Sequence, residues 1–503
     1  MRTLLPILAL RHHVRLQILN FSLFNNKTKP ICWLQAKNMS SLQFKKIHSG
    51  LNSQGIVFYL QNRMKKVIKS LFPLLTLWAF ASTAFAQQVG TNSLYSRYGY
   101  GQLSNPAIGA SESMGGISYG LRRSQEVNPG NPASYSSLDT LTFVFDYGIS
   151  GHYSIYSDGS NKQNRYNGNL DYVAMQFPLI GKIAGSFGLL PYSKVGYSFG
   201  REQSTTDFTY QEIYSGSGGL SQVYGGIAWE LFKFASIGAN VSYLFGNIEH
   251  TRQLPLINSN TLARIKTDKF RFSDVKFDFG LQLTYPLSRE ESITMGLVYS
   301  PKINSESTIY PYDRLINSSG QVTQQLESDT LTHQSFQLPN TFGAGISYRN
   351  DNLLVGIDGS YQTWKDMQYP DYLDGMTSET RFNNRYRLSA GAEYVNDPLS
   401  RSLLQRIRFR AGLSFANSYN NVNIYHPTNS SLVGTDGFKE YGFNVGFGIP
   451  FRDMYNGRVS LLNIGFGYSL LEPNATYMIK EEVFKISLSM SINELWFFKR
   501  QFE

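Results

Sequence analysis

Beyond Leu138 the chain alternates apolar and polar residues with a period of two. Between Val275 and Tyr285 the odd positions are Val275, Phe277, Phe279, Leu281, Leu283 and Tyr285, and the even ones are Lys276, Asp278, Gly280, Gln282 and Thr284. Ile407, Phe409, Ala411, Leu413 and Phe415 face away from Arg406, Arg408, Arg410, Gly412 and Ser414. Leu462 to Leu470 and Phe484 to Ile492 repeat the pattern. This is the period of a β-strand with one apolar and one polar face. Further strands are expected near 141–150, 169–178, 183–199, 221–231, 235–249, 292–303, 341–349, 353–363, 385–395 and 441–451.

Strands of about ten residues suit a bilayer crossed at a tilt. A soluble sandwich alternates too, with its apolar face inward. Strand length favours the membrane, and so do the aromatic residues at strand ends. These are Tyr348, Tyr361 with Trp364, Tyr394, Phe451 and Trp496 with Phe497 and Phe498, placed as in interfacial girdles. A sheet in lipid must close, because an open edge leaves backbone groups unpaired. The expected fold is all-β, a transmembrane antiparallel β-barrel of about 14 strands (12–16 allowed), in the outer membrane of a Gram-negative cell. Pro191 is the expected disturbance, since proline cannot donate to the ladder. The polar inserts 251–270, 304–335, 365–383 and 417–437 read as extracellular loops, and Pro398-Leu399-Ser400 as a periplasmic turn.

The leading sequence differs. Residues 1–63 have no clear period and read as an extension that is not translated. From Met64 a basic Met-Lys-Lys start, an apolar run over Leu71–Ala81 and Ala84-Phe85-Ala86 make a secretory signal peptide over 64–86. That run is too short to span as a helix. The mature chain is expected to begin near Gln87. Residues 87–138 are polar and glycine-rich, with Pro106, Pro129 and Pro132 each after an asparagine. That segment is too short to bury a core alone. It reads as a plug inside the barrel formed by 139–503.

Charge adds little once it is divided. Of the 46 Lys and Arg, 12 lie in residues 1–86, which hold no acidic residue. The remaining 34 face all 36 acidic residues, a net near −2. Nothing there calls for nucleic acid. The single cysteine, Cys32, also lies in the leader, so the body has no disulfide framework or cysteine metal site.

Asn131-Pro132-Ala133, between the polar segment and the first strand, resembles a feature of the FadL-type family of long-chain fatty-acid and hydrophobic-compound transporters, in a form similar to those of Bacteroidetes. Leu338-Pro339-Asn340-Thr341-Phe342-Gly343 is similar to the leucine-proline entry to a central strand of that family, and the ending Leu495-Trp496-Phe497-Phe498-Lys499-Arg500 resembles Bacteroidetes envelope proteins. The resemblance implies a 14-stranded barrel with an N-terminal hatch. A hydrophobic small molecule would pass a site beside the hatch, around Val127, Asn131, Pro132 and Ala133. It would leave sideways through a break in the third strand, for which Pro191 is the candidate. Outer-membrane lipid and lipopolysaccharide would surround the barrel.

Arg406, Arg408 and Arg410 form the sharpest charge cluster. Arg408 and Arg410 either grip a ligand carboxylate or pair with Asp358, Glu393 or Asp278. The histidines after the leader, His152, His250, His333 and His426, have no metal-ligand spacing and read as loop or rim residues. No GxSxG occurs, and no enzyme or cofactor is expected. Gly99-Tyr100-Gly101 and Met114-Gly115-Gly116 read as tight turns, not phosphate loops. The alternative function is a non-transporting barrel that assists protein secretion or surface assembly, with secretion-system proteins as partners.

Overall fold

The computed structural model describes residues 91–495, apart from 160, 205–208, 256–261, 318, 327–328, 371–377, 427–430 and 453–457. Fourteen antiparallel strands close on themselves. They are β1 (Thr142–Ser157), β2 (Lys162–Pro178), β3 (Ile183–Ser204), β4 (Thr209–Phe232), β5 (Ala235–Leu254) and β6 (Ala263–Pro286). Then come β7 (Ser292–Ser300 with Ile303–Ile316) and β8 (Leu331–Leu338 with Thr341–Arg349), each in two parts. The rest are β9 (Leu353–Gln362), β10 (Arg385–Val395), β11 (Arg408–Asn417), β12 (Phe438–Arg452), β13 (Val459–Pro473) and β14 (Lys480–Leu495). The rungs Thr142↔Leu495 to Ser157↔Lys480 join β1 to β14 and leave no free edge at the seam. The barrel is a transmembrane protein of the outer membrane.

The alternation puts apolar side chains on the outer wall. Phe279 is 48% exposed and its polar neighbour Gln282 is 1% exposed, facing the lumen. Phe409 and Leu413 point out, and Arg410 points in. Tyr361, Tyr394 and Phe451 are exposed aromatics at strand ends, as expected. Trp364 is a correction. It is fully buried, because its loop folds inward over the plug. Trp496 to Phe498, the signal peptide and the 1–63 extension lie outside the described residues.

Short links sit at one end, for example Lys233 and Phe234 between β4 and β5, and long segments at the other, 363–384 and 418–437. By the usual asymmetry of such barrels the long end is extracellular. Residues 251–270 and 304–335 are also at that end, but much of them is strand, not loop. β5 and β6 pair from Ala235↔Leu283 to Leu254↔Arg264, and β7 and β8 extend beyond the wall as paired ribbon. Outward residues such as Asn304 and Glu306 are polar there, while Ile303, Ile309, Phe336 and Leu338 turn inward into the core over the plug, so the ladder continues past the apolar belt. The two split strands divide at Pro301 and at Pro339-Asn340. Pro191 does not split its strand. It sits in β3 at a register shift between Pro191 and Ser193.

Replacing the outward Ile357, 57% exposed, by arginine is expected to cost about 2–4 kcal/mol in reversible folding into vesicles. A negligible cost would mean that this face does not meet lipid.

Candidate functional site

The lumen is filled by residues 91–139, which have no hydrophobic core of their own. They are short 3-10 turns, Leu94–Arg97, Gly109–Met114 and Pro132–Ser137, each packed on the wall. Asn131 shows how the sequence sets one of them. Its side chain caps the last turn by accepting from the Ala133 amide at 3.1 Å, while its Nδ2 donates to the Tyr119 carbonyl at 2.8 Å and the Leu281 carbonyl at 3.3 Å. Pro132 then begins the turn, where its missing amide hydrogen costs nothing. The turn lies flat on the wall because Gly280 faces it. A Cβ there would sit 2.9 Å from Pro132 Cδ and 3.0 Å from the Ala133 amide nitrogen.

Val127, Asn131, Pro132 and Ala133 were expected beside a ligand. The structure brings them together, but as an anchor. Asn131 and Ala133 are fully buried and Val127 packs with Ile108, Tyr135, Val144 and Tyr172. Their contacts are to the wall and to other parts of the plug.

Charged groups lock the plug at three heights. At the short-turn end three guanidiniums share two carboxylates. Arg410, fully buried, donates from Nε to Glu393 at 2.6 Å and from Nη1 to Asn463 at 2.7 Å, and reaches Glu126 of the plug at 3.4 Å. The plug's Arg123 contacts Glu126 at 2.7 Å and Glu393 at 3.1 Å. Arg408 lies 3.7 Å from Glu393 and donates to Gln125 at 3.1 Å. Of the acids considered as partners for these arginines, Glu393 is the one used. The reason is register, since Glu393 is the direct cross-strand neighbour of Arg410. Both arginines contact the plug, Arg410 through Glu126 and Arg408 through Gln125.

Midway, the Asp358 carboxylate accepts from the Tyr119 amide at 2.7 Å and from the Ser118 amide. Lys485 Nζ bridges Glu112 of the plug at 2.9 Å and Asp171 of β2 at 3.2 Å, and Lys194 of β3 reaches the same Asp171 at 3.3 Å. Burial pushes the Glu112 carboxyl up, against the pull of Lys485. Nearer the long-loop end Glu481 accepts from Ser93 Oγ at 2.7 Å and the Leu94 amide at 2.8 Å, capping the first turn.

At the long-loop end the plug presents an aromatic residue. Gly99 and Gly101 both have positive φ, and the turn they allow projects Tyr100 into a nest. Trp364, Tyr369 and Phe382 from segment 363–384 and Tyr419 from segment 418–437 close over it, with Phe272 and Phe336 from the wall. Tyr369 lies 5.3 Å and Trp364 5.7 Å from the Tyr100 ring centre. The Tyr100 hydroxyl donates to the Gln337 carbonyl at 3.0 Å, and burial pushes that phenol well above its ordinary value. Tyr100 is therefore a neutral donor that seals the outer end.

The wall is incomplete in one place beside the plug. β2 and β3 share only six rungs, Val173↔Leu189 to Pro178↔Ala184. Above them β3 turns its edge to the plug. Gln102 and Leu103 pair with Lys194 and Ser193, the Ser104 amide donates to the Tyr192 carbonyl at 2.9 Å, and the Gly196 amide donates to Ser96 Oγ at 3.0 Å. Pro191 lies at the foot of this gap. Behind it is a cavity of about 340 Å³, lined by Leu103, Leu190, Pro191, Tyr192, Lys194 and Lys485 among others.

His152 and His250 correct the rim reading. His152 lies against the lumen cavity and meets Ser150 Oγ at 2.9 Å, and His250 meets the Tyr197 hydroxyl at 2.7 Å. Among the described residues no group of three or more His, Cys, Asp or Glu is placed to hold a metal. Sequence reading missed Glu112 and Glu126, read Tyr100 only as part of a tight turn, and named Asp358 only as a partner for the arginines. The signal available was isolated charge at lumen-facing strand positions, matched by a few charges in an otherwise neutral segment.

The family model named BamG matches residues 65–503. The chain belongs to the BamG family. Among solved structures, this BamG-family chain is similar to a Pseudomonas aeruginosa FadL homologue, with 13% identity, a TM-score of 0.50, and coverage of 78% of this chain and 99% of that one. It is also similar to the Pseudomonas putida toluene transporter TodX (15% identity, TM-score 0.46, 79% and 100% covered) and to the CymD monoaromatic hydrocarbon channel (13%, 0.46, 78% and 98%). The FadL homologue supports the shared fold. No curated protein matches the chain.

Replacing Arg410 by methionine is expected to loosen the plug, because Glu126 and Glu393 lose a buried partner, worth about 3–5 kcal/mol. Amide exchange over residues 118–138 should then rise about 100-fold while β1–β14 stay protected. Unchanged exchange would mean that the arginine–carboxylate knot does not hold the plug.

Proposed function

We propose that the chain is a passive outer-membrane conduit for a small hydrophobic molecule such as a fatty acid, with the plug as its gate. The gap between β2 and β3 serves as the sideways exit into the bilayer. One observation carries this reading. The only backbone partners at the upper edge of β3 on that side, among the described residues, come from the plug, and a cavity lies directly behind them. Two rungs and a few side-chain bonds close the gap, against the twenty-one rungs that join β3 to β4. A plug that withdraws opens the wall without disturbing the barrel. Pro191 marks the foot of the exit because it has no amide hydrogen for a ladder.

In this scheme the nest around Tyr100 is the outer gate in its closed form. A ligand enters by taking the place of the Tyr100 ring. Its carboxylate, if it has one, meets Lys194 and Lys485, which line the cavity beside Asp171 and Glu112. Segment 64–86 exports the chain, and the mature protein begins near Gln87.

One observation favours a second reading, a non-transporting barrel that assists protein secretion or surface assembly. The cavity carries many charges, and the apolar nest is already filled by the chain's own Tyr100. A barrel sealed in this way serves as a scaffold as readily as a conduit.

A disulfide separates the two. Leu103 and Ser193 are direct ladder partners, so cysteines at both positions fall within bonding reach. The oxidised variant in vesicles is expected to lose most transfer of a fluorescent fatty acid, and reduction should restore it. Equal transfer in both states would remove the gap from the mechanism. Absence of transfer even from Tyr100→Ala, with another envelope protein retained on purification, would favour the accessory role.

A further inference from the structure

A second irregularity lies four strands further round the wall, between β6 and β7, faces lipid, and is independent of the transport reading. β6 pairs with the first part of β7 over Phe279–Pro286 and with its second part over Ala263–Arg271. Residues 272–278 between these ladders have no rung on that side. A notch of about 370 Å³ opens there on the outer face, lined by Tyr243, Lys269, Arg271, Ser273, Tyr310 and Tyr312 among others.

Its height is set by the strand pattern. Below it on β5 and β6 the outward residues are Val241, Tyr243, Val275, Phe277 and Phe279, all exposed and apolar or aromatic. At the notch the outward residues change. Asn247 pairs with Arg271, Glu249 with Lys269, and Lys269 with Tyr310. The notch therefore sits where the apolar belt ends on the long-loop side, at the headgroups of the outer leaflet.

Its charge is one-sided. Lys269 meets Glu249 at 2.6 Å. Arg271 is exposed, and Arg314 lies over the Tyr312 ring at 4.9 Å. Among the described residues neither arginine forms an ion pair. The Arg271 guanidinium is left over beside Tyr310 and Tyr312, in a cleft continuous with the lipid-facing belt. Guanidinium binds phosphate oxygens in pairs, and tyrosine hydroxyls add donors. We propose that this notch binds the phosphorylated headgroup of an outer-leaflet glycolipid, with Arg271 on the phosphate, Tyr310 and Tyr312 beside it, and the acyl chains along Tyr243 and Phe277.

The test is native mass spectrometry of the detergent-purified barrel incubated with phosphorylated lipid A, its dephosphorylated form, or phosphatidylethanolamine. The wild type should retain the phosphorylated lipid about tenfold better than the other two, the scale of one or two charge-assisted hydrogen bonds. Arg271→Glu should abolish that preference. Lys233→Glu, the same charge change in a turn at the other end, should keep it. Heat-modifiable migration reports folding, and Arg271→Gln replaces the reversal if the latter does not fold. Equal retention of phosphorylated and dephosphorylated lipid, or full retention by the folded variant, overturns the proposal. So does binding that only an acidic protein segment produces.

Discussion

Backbone hydrogen bonding in a medium without water governs this molecule. An amide or carbonyl facing hydrocarbon has no solvent to satisfy it, so each strand edge must meet another. Twelve of the thirteen sequential pairs and the seam meet this demand with other barrel strands, although the β6–β7 ladder is interrupted. The upper edge of β3 does not, and there the plug supplies the partners. The plug is thus part of the wall as well as the filling. That dual use joins two properties that are separate in a simple barrel, since what occludes the lumen also completes the sheet.

The plug's own sequence explains how this is possible. Residues 91–139 are poor in the apolar residues needed for a core, and turn-forming residues dominate. Such a segment folds only on a template. The lumen provides one, with carboxylates at Asp358 and Glu481 that accept backbone amides, and with the Arg410–Glu393 pair that receives Arg123 and Glu126. Each anchor is electrostatic and directional, so it fixes register without a hydrophobic core. The Tyr100 nest is the exception, and it lies where loops can close over it from outside.

The outer wall follows other rules. Its apolar face needs only to match lipid, so its side chains are interchangeable within broad limits. The irregular places stand out against that background. The β2–β3 gap faces a cavity, and the β6–β7 notch faces the headgroups. Both arise where a ladder between neighbouring strands is interrupted, and both place charged or aromatic groups beside the break.

The alternation, with strand length and aromatic strand ends, determined the barrel, its strand positions and the face each strand shows to lipid, because a period of two puts the apolar side chains of each strand on one face. Val275 to Tyr285 and Phe484 to Ile492 could be read without coordinates. It also determined that residues 87–138 must lean on something else. What it left open was whether Arg410 serves a ligand or a structural partner. That depends on which strand lies beside β11 and which plug residue descends to meet it. Trp364 read as a girdle residue for the same reason, since only the path of its loop turns it inward. The gap beside Pro191 and the tail ribbons of β5 to β8 are likewise matters of pairing between distant segments. A period records which face a residue takes, but not the neighbour it finds there, and tertiary structure decided that.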